Sequence, residues 1–207
     1  MAQIKTKKQT ILHSALKLAG EYGWSNVHFE QIAKESKIQT KELTSIFTDK
    51  DSIFFAIFQE INDELSSADL QFDLEQDTEK DRLFEVIMYR FDLLNQNREA
   101  FISMLSPFTS DLEKAWKCKS DFCHSMRSTL EKADITPNSM MKEDALIVAI
   151  STVYLLTMKT WLEDKSEDMA KTMANLDKYL EKMFRFSSIL DKFPIDLFNK
   201  KTVWSDG

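Results

Sequence analysis

The 207-residue sequence has few residues that interrupt helices, with only three glycines and three prolines. This shortage leaves no glycine-rich loop of the kind that cradles phosphates. The apolar residues recur at three- and four-residue intervals with little alternation, which predicts an all-α fold without a sheet. A hydrophobic content of 43% over this length is enough to bury a substantial core.

Cysteine and histidine are equally scarce. Cys118 and Cys123 lie five residues apart on a predicted helix, so their side chains point in different directions and form neither a local disulfide nor a CxxC site. The three histidines are scattered, and we expect no metal and no other cofactor. No GxSxG, P-loop, GxGxxG or HExxH motif occurs, and we expect the acidic pair Glu163-Asp164 to cap a helix end. The sequence therefore predicts no catalytic residues and no enzyme.

The chain also lacks an opening apolar segment of the kind that directs secretion. Its longest uncharged run, residues 145–158, is shorter than the ~20 residues that span a bilayer. We therefore expect a cytoplasmic protein without stable membrane insertion, in which this run is a buried core helix.

Residues 29–58 predict a helix-turn-helix followed by the start of a third helix. Ile32 and Ala33 share the inner face of the first short helix, and Leu43 and Phe47 turn one side of the second inward. The outer face of the second helix then carries short polar side chains and lysine, which contact phosphates and base edges in DNA-binding proteins. An ordinary solvated helix face has the same composition. The candidate DNA-binding residues are Thr40, Lys41, Glu42, Thr44, Ser45, Thr48 and Lys50.

Charge is unevenly distributed along the chain. The net charge is −7, but residues 1–50 hold eight lysines against five acidic residues, while the remainder carries a net charge of −10. This asymmetry fits a cationic reader of nucleic acid on an acidic, soluble body. Lys5, Lys7 and Lys8 precede the first apolar stripe, where they form either a basic arm that meets phosphates or a frayed terminus.

Caps and breakers divide the rest of the chain into helices. We expect Gly23 to end the first helix, Asp49 and Thr78 to cap the fourth and fifth, and Pro107 to end a short one. Ser139 or Asn138 is expected to cap the helix that runs through Leu162. The helices predicted outside the helix-turn-helix cover residues 6–22, 50–65, 82–94, 99–105, 110–133, 139–162 and 167–186. The predicted domains are a helix-turn-helix domain (1–50), a connecting helix (51–66), a helical ligand-binding and dimerisation domain (67–190) and an apolar tail (191–207). We expect the tail to dock on the body rather than to lie at a membrane surface.

Bulky apolar residues of the predicted body form two further sets. The first is spread over several helices, as in ligand sites inside helix bundles, although ordinary core has the same composition. It comprises Phe101, Met104, Phe108, Trp116, Phe122, Met126, Tyr154 and Met158. The second set lies on a hairpin of the last two helices, which can complete a four-helix bundle with a symmetry mate. It comprises Val148, Leu155, Met169, Met173, Leu176 and Leu180.

The helix-turn-helix residues resemble the N-terminal pattern of TetR-type regulators. The matching residues are Gly23, Ile32, Ala33, Ile38, Leu43, Phe47 and Lys50. The chain departs from that pattern at Lys37, Gln39, Lys41 and Thr44, where the family usually has Gly, Ser, a small residue and Tyr. The resemblance implies an N-terminal helix-turn-helix domain and a C-terminal helical bundle for ligand binding and dimerisation.

Residues 160–177 extend the resemblance with a Trp-Leu, an acidic pair, a Ser, a Thr and a Leu-Asp. Together with Gly23-Trp24-Ser25 and Arg90, this pattern is also similar to lipid-binding accessory proteins of ubiquinone biosynthesis that share the TetR fold. The first resemblance implies a homodimeric repressor that binds a palindromic double-stranded DNA operator and is released by a small apolar effector. The alternative is a lipid-binding accessory protein without DNA binding.

Overall fold

A computed structural model of the chain describes residues 2–110, 119–137 and 139–190, and the side chains of 6–106, 119–137 and 139–186. Within these ranges every regular element is a helix, which confirms the all-α prediction. The α-helices are α1 (Ala2–Tyr22), α2 (Phe29–Ser36), α3 (Thr40–Ile46), α4 (Lys50–Ser67), α5 (Glu79–Asn95), α6 (Arg98–Ser110), α7 (Lys119–Lys132), α8 (Met140–Glu163) and α9 (Ala170–Leu190). A short 3-10 helix, Trp24–Asn26, joins α1 to the helix-turn-helix formed by α2 and α3.

The chain divides into two compact units, Met1–Ser151 and Thr152–Gly207, of which the second is described as far as Leu190. The division falls within α8, whereas composition places a domain boundary between residues 66 and 81. The first unit continues through that region because α4 packs against α5 and α7, while α1 packs against α6. The predicted tail at residues 191–207 lies outside the described residues.

The first helix is longer than the sequence predicts. It begins at Ala2, so that Lys7 and Lys8 lie within α1 and not on a basic arm ahead of it. Gly23 follows α1 with a positive φ of 78°, a conformation that glycine adopts at little cost. The hydroxyl oxygen of Ser103 in α6 lies 2.9 Å from the Ala19 carbonyl oxygen and accepts the Trp24 N–H at 3.1 Å. Ser103 therefore fastens the end of α1 to α6.

Three predicted N-caps are confirmed by hydrogen bonds. The Asp49 carboxylate accepts the Ser52 N–H at 2.7 Å, and this backbone bond is the main reason why the pKa of Asp49 is lowered. The Thr78 hydroxyl accepts the Asp81 N–H at 3.2 Å. The Ser139 hydroxyl accepts the Lys142 N–H at 3.3 Å. These side chains satisfy backbone donors that a helix start leaves without partners.

Two predicted helix ends are wrong. Residues 98–110 form one helix that continues through Pro107, because α6 is held by packing against α1 and α5. The last helix begins at Ala170 rather than directly after Ser166, and Met169 before it adopts a positive φ of 53°. Of the predicted helix over residues 110–133, Ser110 belongs to α6, residues 111–118 lie outside the described residues, and Lys119–Lys132 form α7.

The turn between α8 and α9 is built around Asp164, which is only 2% exposed. Burial disfavours its ionised form. Hydrogen bonds from the backbone N–H and hydroxyl groups of Ser166 and Thr172, at 2.6–3.0 Å, outweigh that effect and hold the pKa of Asp164 well below its usual range. This acidic residue therefore has a structural role, as its place at a helix end predicts.

A polar cluster is buried in the first unit. Arg90 of α5 is 2% exposed and donates to the Asn62 side-chain oxygen at 2.9 Å and to the Ser125 hydroxyl at 2.7 Å. Ser125 in turn donates to the same Asn62 oxygen at 2.8 Å. The cluster joins α4, α5 and α7. Sequence patterns did not predict it because its members are polar residues scattered along the chain.

Candidate functional site

The corner of the helix-turn-helix is closed by Lys37. This residue follows α2 with φ 56° and ψ 34°, the left-handed conformation in which TetR-type sequences usually have glycine. The Ile38 N–H that follows donates to the Ala33 carbonyl at 3.0 Å and completes the turn. The departure at Lys37 therefore preserves the corner geometry, at the cost of backbone strain that glycine would avoid.

Helix α3 has one buried and one exposed face. Leu43 is fully buried and Phe47, directly after the helix, is 4% exposed. Thr40, Lys41 and Thr44 are exposed on the other side. The apolar side thus anchors α3 in the first unit and leaves its polar side open to a partner, as the sequence predicts.

The hydroxyl groups on this face are partly committed to their own helix. Thr44 donates to the Lys41 carbonyl at 3.0 Å, and Ser45 donates to the Glu42 carbonyl at 2.6 Å. Each hydroxyl oxygen still has acceptor capacity, so both can receive a base amine without giving up these bonds. Thr48 is exposed just beyond α3, where its hydroxyl lies 3.2 Å from the Asp49 carboxylate.

Two lysines predicted near the DNA have partners within the protein. Lys7 of α1 forms an ion pair with Glu42 of α3, and both side chains are about two-fifths exposed. The ammonium of Lys50 donates to the Trp24 carbonyl and lies 4.5 Å from the centroid of the Trp24 ring. Sequence reasoning missed both contacts because each joins residues that are far apart in the chain.

The residues predicted to line a ligand pocket are divided between the two units. Phe101, Met104 and Met126 of the first unit are almost fully buried, and the rings of Phe58 and Phe101 meet edge to face with centroids 5.6 Å apart. Phe122 is half-buried. Tyr154 and Met158 belong to the second unit and are also buried. The side chain of Phe108 and the whole of Trp116 lie outside the described residues.

A separate open cleft of about 570 Å³ lies in the second unit, between α8 and α9. Its walls are more polar than the predicted pocket and share no residue with it. The lining residues are Leu156, Lys159, Thr160, Glu163, Asp164, Lys171, Ala174, Asn175 and Tyr179. Among the side chains that the structure describes, no group of three His, Cys, Asp or Glu residues is placed to hold a metal ion.

The predicted dimer residues fall into two classes. Val148 and Leu155 on α8 are 66% and 56% exposed, unusual values for large apolar side chains. Met169, Leu176 and Leu180 are buried within the chain itself, so they offer no surface to a partner. Met173 is half-buried. By length and composition alone α8 is also able to cross a membrane, a test that core helices of soluble proteins pass as well.

Comparison with known proteins places this architecture among solved structures. No protein-family model and no curated protein matches the chain. A TetR transcriptional regulator from Nitrosomonas europaea is similar with a TM-score of 0.70 and 19% identity, over 86% of this chain and 98% of that one. A TetR transcriptional regulator from a Rhodococcus species has a TM-score of 0.67 and 14% identity, over 87% and 97%.

NalD of Pseudomonas aeruginosa, the secondary repressor of the MexAB-OprM multidrug efflux pump, is similar with a TM-score of 0.54 and 19% identity. That match covers 87% of this chain and 96% of NalD. At these identities the likeness is one of fold. The chain therefore has the fold of the TetR-type transcriptional regulators, with an N-terminal helix-turn-helix followed by a helical body.

Proposed function

We propose that the protein is a DNA-binding transcriptional regulator of TetR type, in which α3 enters the major groove. The observation that carries this proposal is the exposed polar face of α3, anchored from behind by the fully buried Leu43. A helix held in this way presents its first residues to base edges, as recognition helices do. The similar structures are regulators, which supports this function over the lipid-binding alternative.

The residues of this face have different roles. Lys41 is exposed and suited to a phosphate, whereas Thr40, Thr44 and Ser45 carry the short hydroxyls that reach base edges and sugars. Thr48 adds a phosphate contact at the end of the helix. Lys50 contributes mainly by linking the start of α4 to Trp24 of the 3-10 helix, and adds positive charge there.

The functional unit that we propose is a homodimer paired through the exposed face of α8. Val148 and Leu155 lie seven residues apart, about two helical turns, and therefore on one side of the helix. Exposed apolar side chains in such a row favour a second copy, because a two-fold axis brings the same face against itself. A two-fold dimer would bind a palindromic site with half-sites about one helical turn apart.

Regulation, in this proposal, comes from a small apolar effector or lipid that the body binds and that releases the DNA in the cytoplasm. Of the predicted pocket residues, Phe101, Met104 and Met126 of the first unit are buried and Phe122 is half-buried, and we expect the ligand to contact this group. A ligand that binds only the folded protein raises its thermal stability by mass action. Native mass spectrometry of the purified protein and a thermal-shift screen of apolar compounds test this part.

The decisive experiment is a genome-wide selection of DNA fragments at ~50 mM salt, where electrostatic binding is strongest. We expect an enriched palindrome, and we expect the double variant Thr40→Ala/Lys41→Ala to lose it. The variant Lys17→Ala, which removes a basic residue from α1, serves as the control for total charge. A selection that enriches no sequence would contradict the proposal, and bound lipid in the same preparation would then favour the lipid carrier.

A further inference from the structure

The ion pair between Lys7 and Glu42 joins α1 to the first turn of α3. Glu42 is the only acidic residue of α3, and it lies next to the exposed Lys41. In recognition helices this end reaches the base edges. A carboxylate there is repelled by phosphates, but it can accept a hydrogen bond from the N4 amine of cytosine. Whether the Lys7–Glu42 ion pair stays closed or opens should therefore affect DNA binding.

The pair is exposed enough to open. The side chains are 40% and 39% exposed, and ion pairs in such surroundings contribute less than about tenfold to an equilibrium constant. With α3 in the major groove, as proposed above, a DNA phosphate would offer Lys7 an alternative anion at the same surface. Glu42 has no alternative partner there unless a cytosine amine faces it, because the remaining groups of the DNA backbone are negatively charged.

We propose that Lys7 and Glu42 discriminate cognate from non-cognate DNA by opening only on the cognate site. On non-cognate DNA the pair stays closed, because opening it would leave a carboxylate among phosphates. On the cognate site Glu42 accepts from a cytosine amine in the major groove, and Lys7 moves to a phosphate. This inference rests on the proposed DNA-binding function and adds a specificity-determining pair to it.

The proposal predicts a difference in salt dependence between the two kinds of complex. Binding weakens as salt is added, and each phosphate neutralised by lysine adds about 0.9 to the magnitude of the negative slope of log K against log salt concentration; slopes are given below as magnitudes. For a dimer, the slope with the cognate operator should exceed that with a scrambled duplex of equal length, by about 2 from the two Lys7 side chains. Replacing the critical C·G pair in each half-site should remove this excess, whereas replacing other C·G pairs should not.

Two variants test the pair directly. Lys7→Ala should lower the cognate slope by about 2 and leave the non-cognate slope unchanged, since Lys7 meets phosphate only in the cognate complex. Glu42→Ala should raise the non-cognate slope by about 2, since it releases Lys7 on every sequence. Both variants should fold normally, which circular dichroism and thermal melting check.

Two control variants distinguish a specific role of the Lys7–Glu42 pair from a general effect of charge. Lys41→Ala should lower both slopes by the same amount. The Lys17–Glu35 pair also joins α1 to the helix-turn-helix, with an N–O distance of 2.6 Å and similar exposure, but Lys17 lies about 15 Å further along α1. Glu35→Ala should therefore change neither slope.

The possible outcomes are distinct. If Lys7→Ala lowers both slopes equally, Lys7 is an ordinary phosphate contact and the inference is overturned. If it lowers neither, the pair is only structural and the inference is again overturned, while DNA binding by the unmutated protein stands. If the unmutated protein binds no DNA at any salt concentration, the proposed function fails and the inference fails with it.

Discussion

The helix-turn-helix and helix α8 differ in how far they bury their large apolar side chains. In the helix-turn-helix, Ile32, Leu43 and Phe47 are all buried, and α3 exposes mostly polar side chains. Helix α8 buries Ile150 and Trp161 but leaves Val148, Leu155 and Leu156 between 42% and 66% exposed. The first surface is complete in one chain and suited to a polar partner. The second is incomplete in one chain and suited to an apolar one.

The largest effect should come from placing charge on the apolar face of α8. Val148→Asp or Leu155→Asp should convert the proposed dimer to a monomer, because a buried carboxylate without a partner is costly in an apolar interface. Specific DNA binding should be lost together with the dimer, since a monomer contacts only one half-site of the palindrome. Light scattering at micromolar concentration measures the change in mass.

Leu74→Asp is the matched control for this substitution. Leu74 is 62% exposed but lies in the segment between α4 and α5, away from α8 in sequence. It should leave the mass unchanged. A monomeric unmutated protein would contradict the proposed role of the α8 face and remove the contrast between the two regions.

The next effect concerns the stability of the turn that follows α8. Asp164→Asn should lower the free energy of unfolding by about 2 kcal/mol, because the buried carboxylate accepts bonds from Ser166 and Thr172 that an amide satisfies poorly. Denaturant unfolding measures the loss. Glu163→Gln, at the exposed neighbouring position, should change stability little.

The stability that Asp164 contributes should also depend on pH. The folded-state pKa of Asp164 lies below its unfolded value, so its contribution is complete above that unfolded value, near pH 4. It is lost as the pH falls towards the folded-state pKa. The Asp164→Asn variant should therefore lose less stability than the unmutated protein between about pH 5 and pH 2. Equal losses in the two proteins would mean that Asp164 is not the carboxylate responsible.

A smaller effect should distinguish the residues of α3 that contact bases from those that contact phosphates. Thr40→Ala should relax the preference at one base pair of the operator by about fivefold, because it removes one hydroxyl from a base edge. Lys41→Ala should weaken binding to all sequences alike. Competition binding with a set of single-base operator variants distinguishes the two patterns. Identical profiles for the two variants would argue against base contact by Thr40.

The smallest effect is expected at the corner of the helix-turn-helix. Lys37→Gly should raise the free energy of unfolding by about 0.5–1 kcal/mol, since glycine relieves the left-handed strain at φ 56°. Lys34→Gly, inside α2, should lower it by about 1 kcal/mol because glycine disfavours a helix interior. Thermal melting of the two variants gives the comparison, and shifts of the same sign would show that strain at Lys37 is negligible.

Local sequence determined much of the fold. The period of the apolar residues identified α2 and α3, and short-range hydrogen bonds at Asp49, Thr78 and Ser139 marked helix starts. These features depend on residues within one or two helical turns of each other, so they can be predicted from short stretches of the sequence. The candidate face of α3 was predictable for the same reason, since burial of Leu43 and Phe47 fixes which side points outward.

Contacts between distant segments were decided only by the tertiary structure. The pairing of Lys7 with Glu42, the position of Lys50 over Trp24 and the Arg90 cluster each join residues that the sequence keeps apart. The continuation of α6 through Pro107 and the burial of Leu176 and Leu180 likewise depend on packing. Periodicity states which residues turn inward, but it does not state which segment meets them, because that choice is made by the free energy of the whole packed chain.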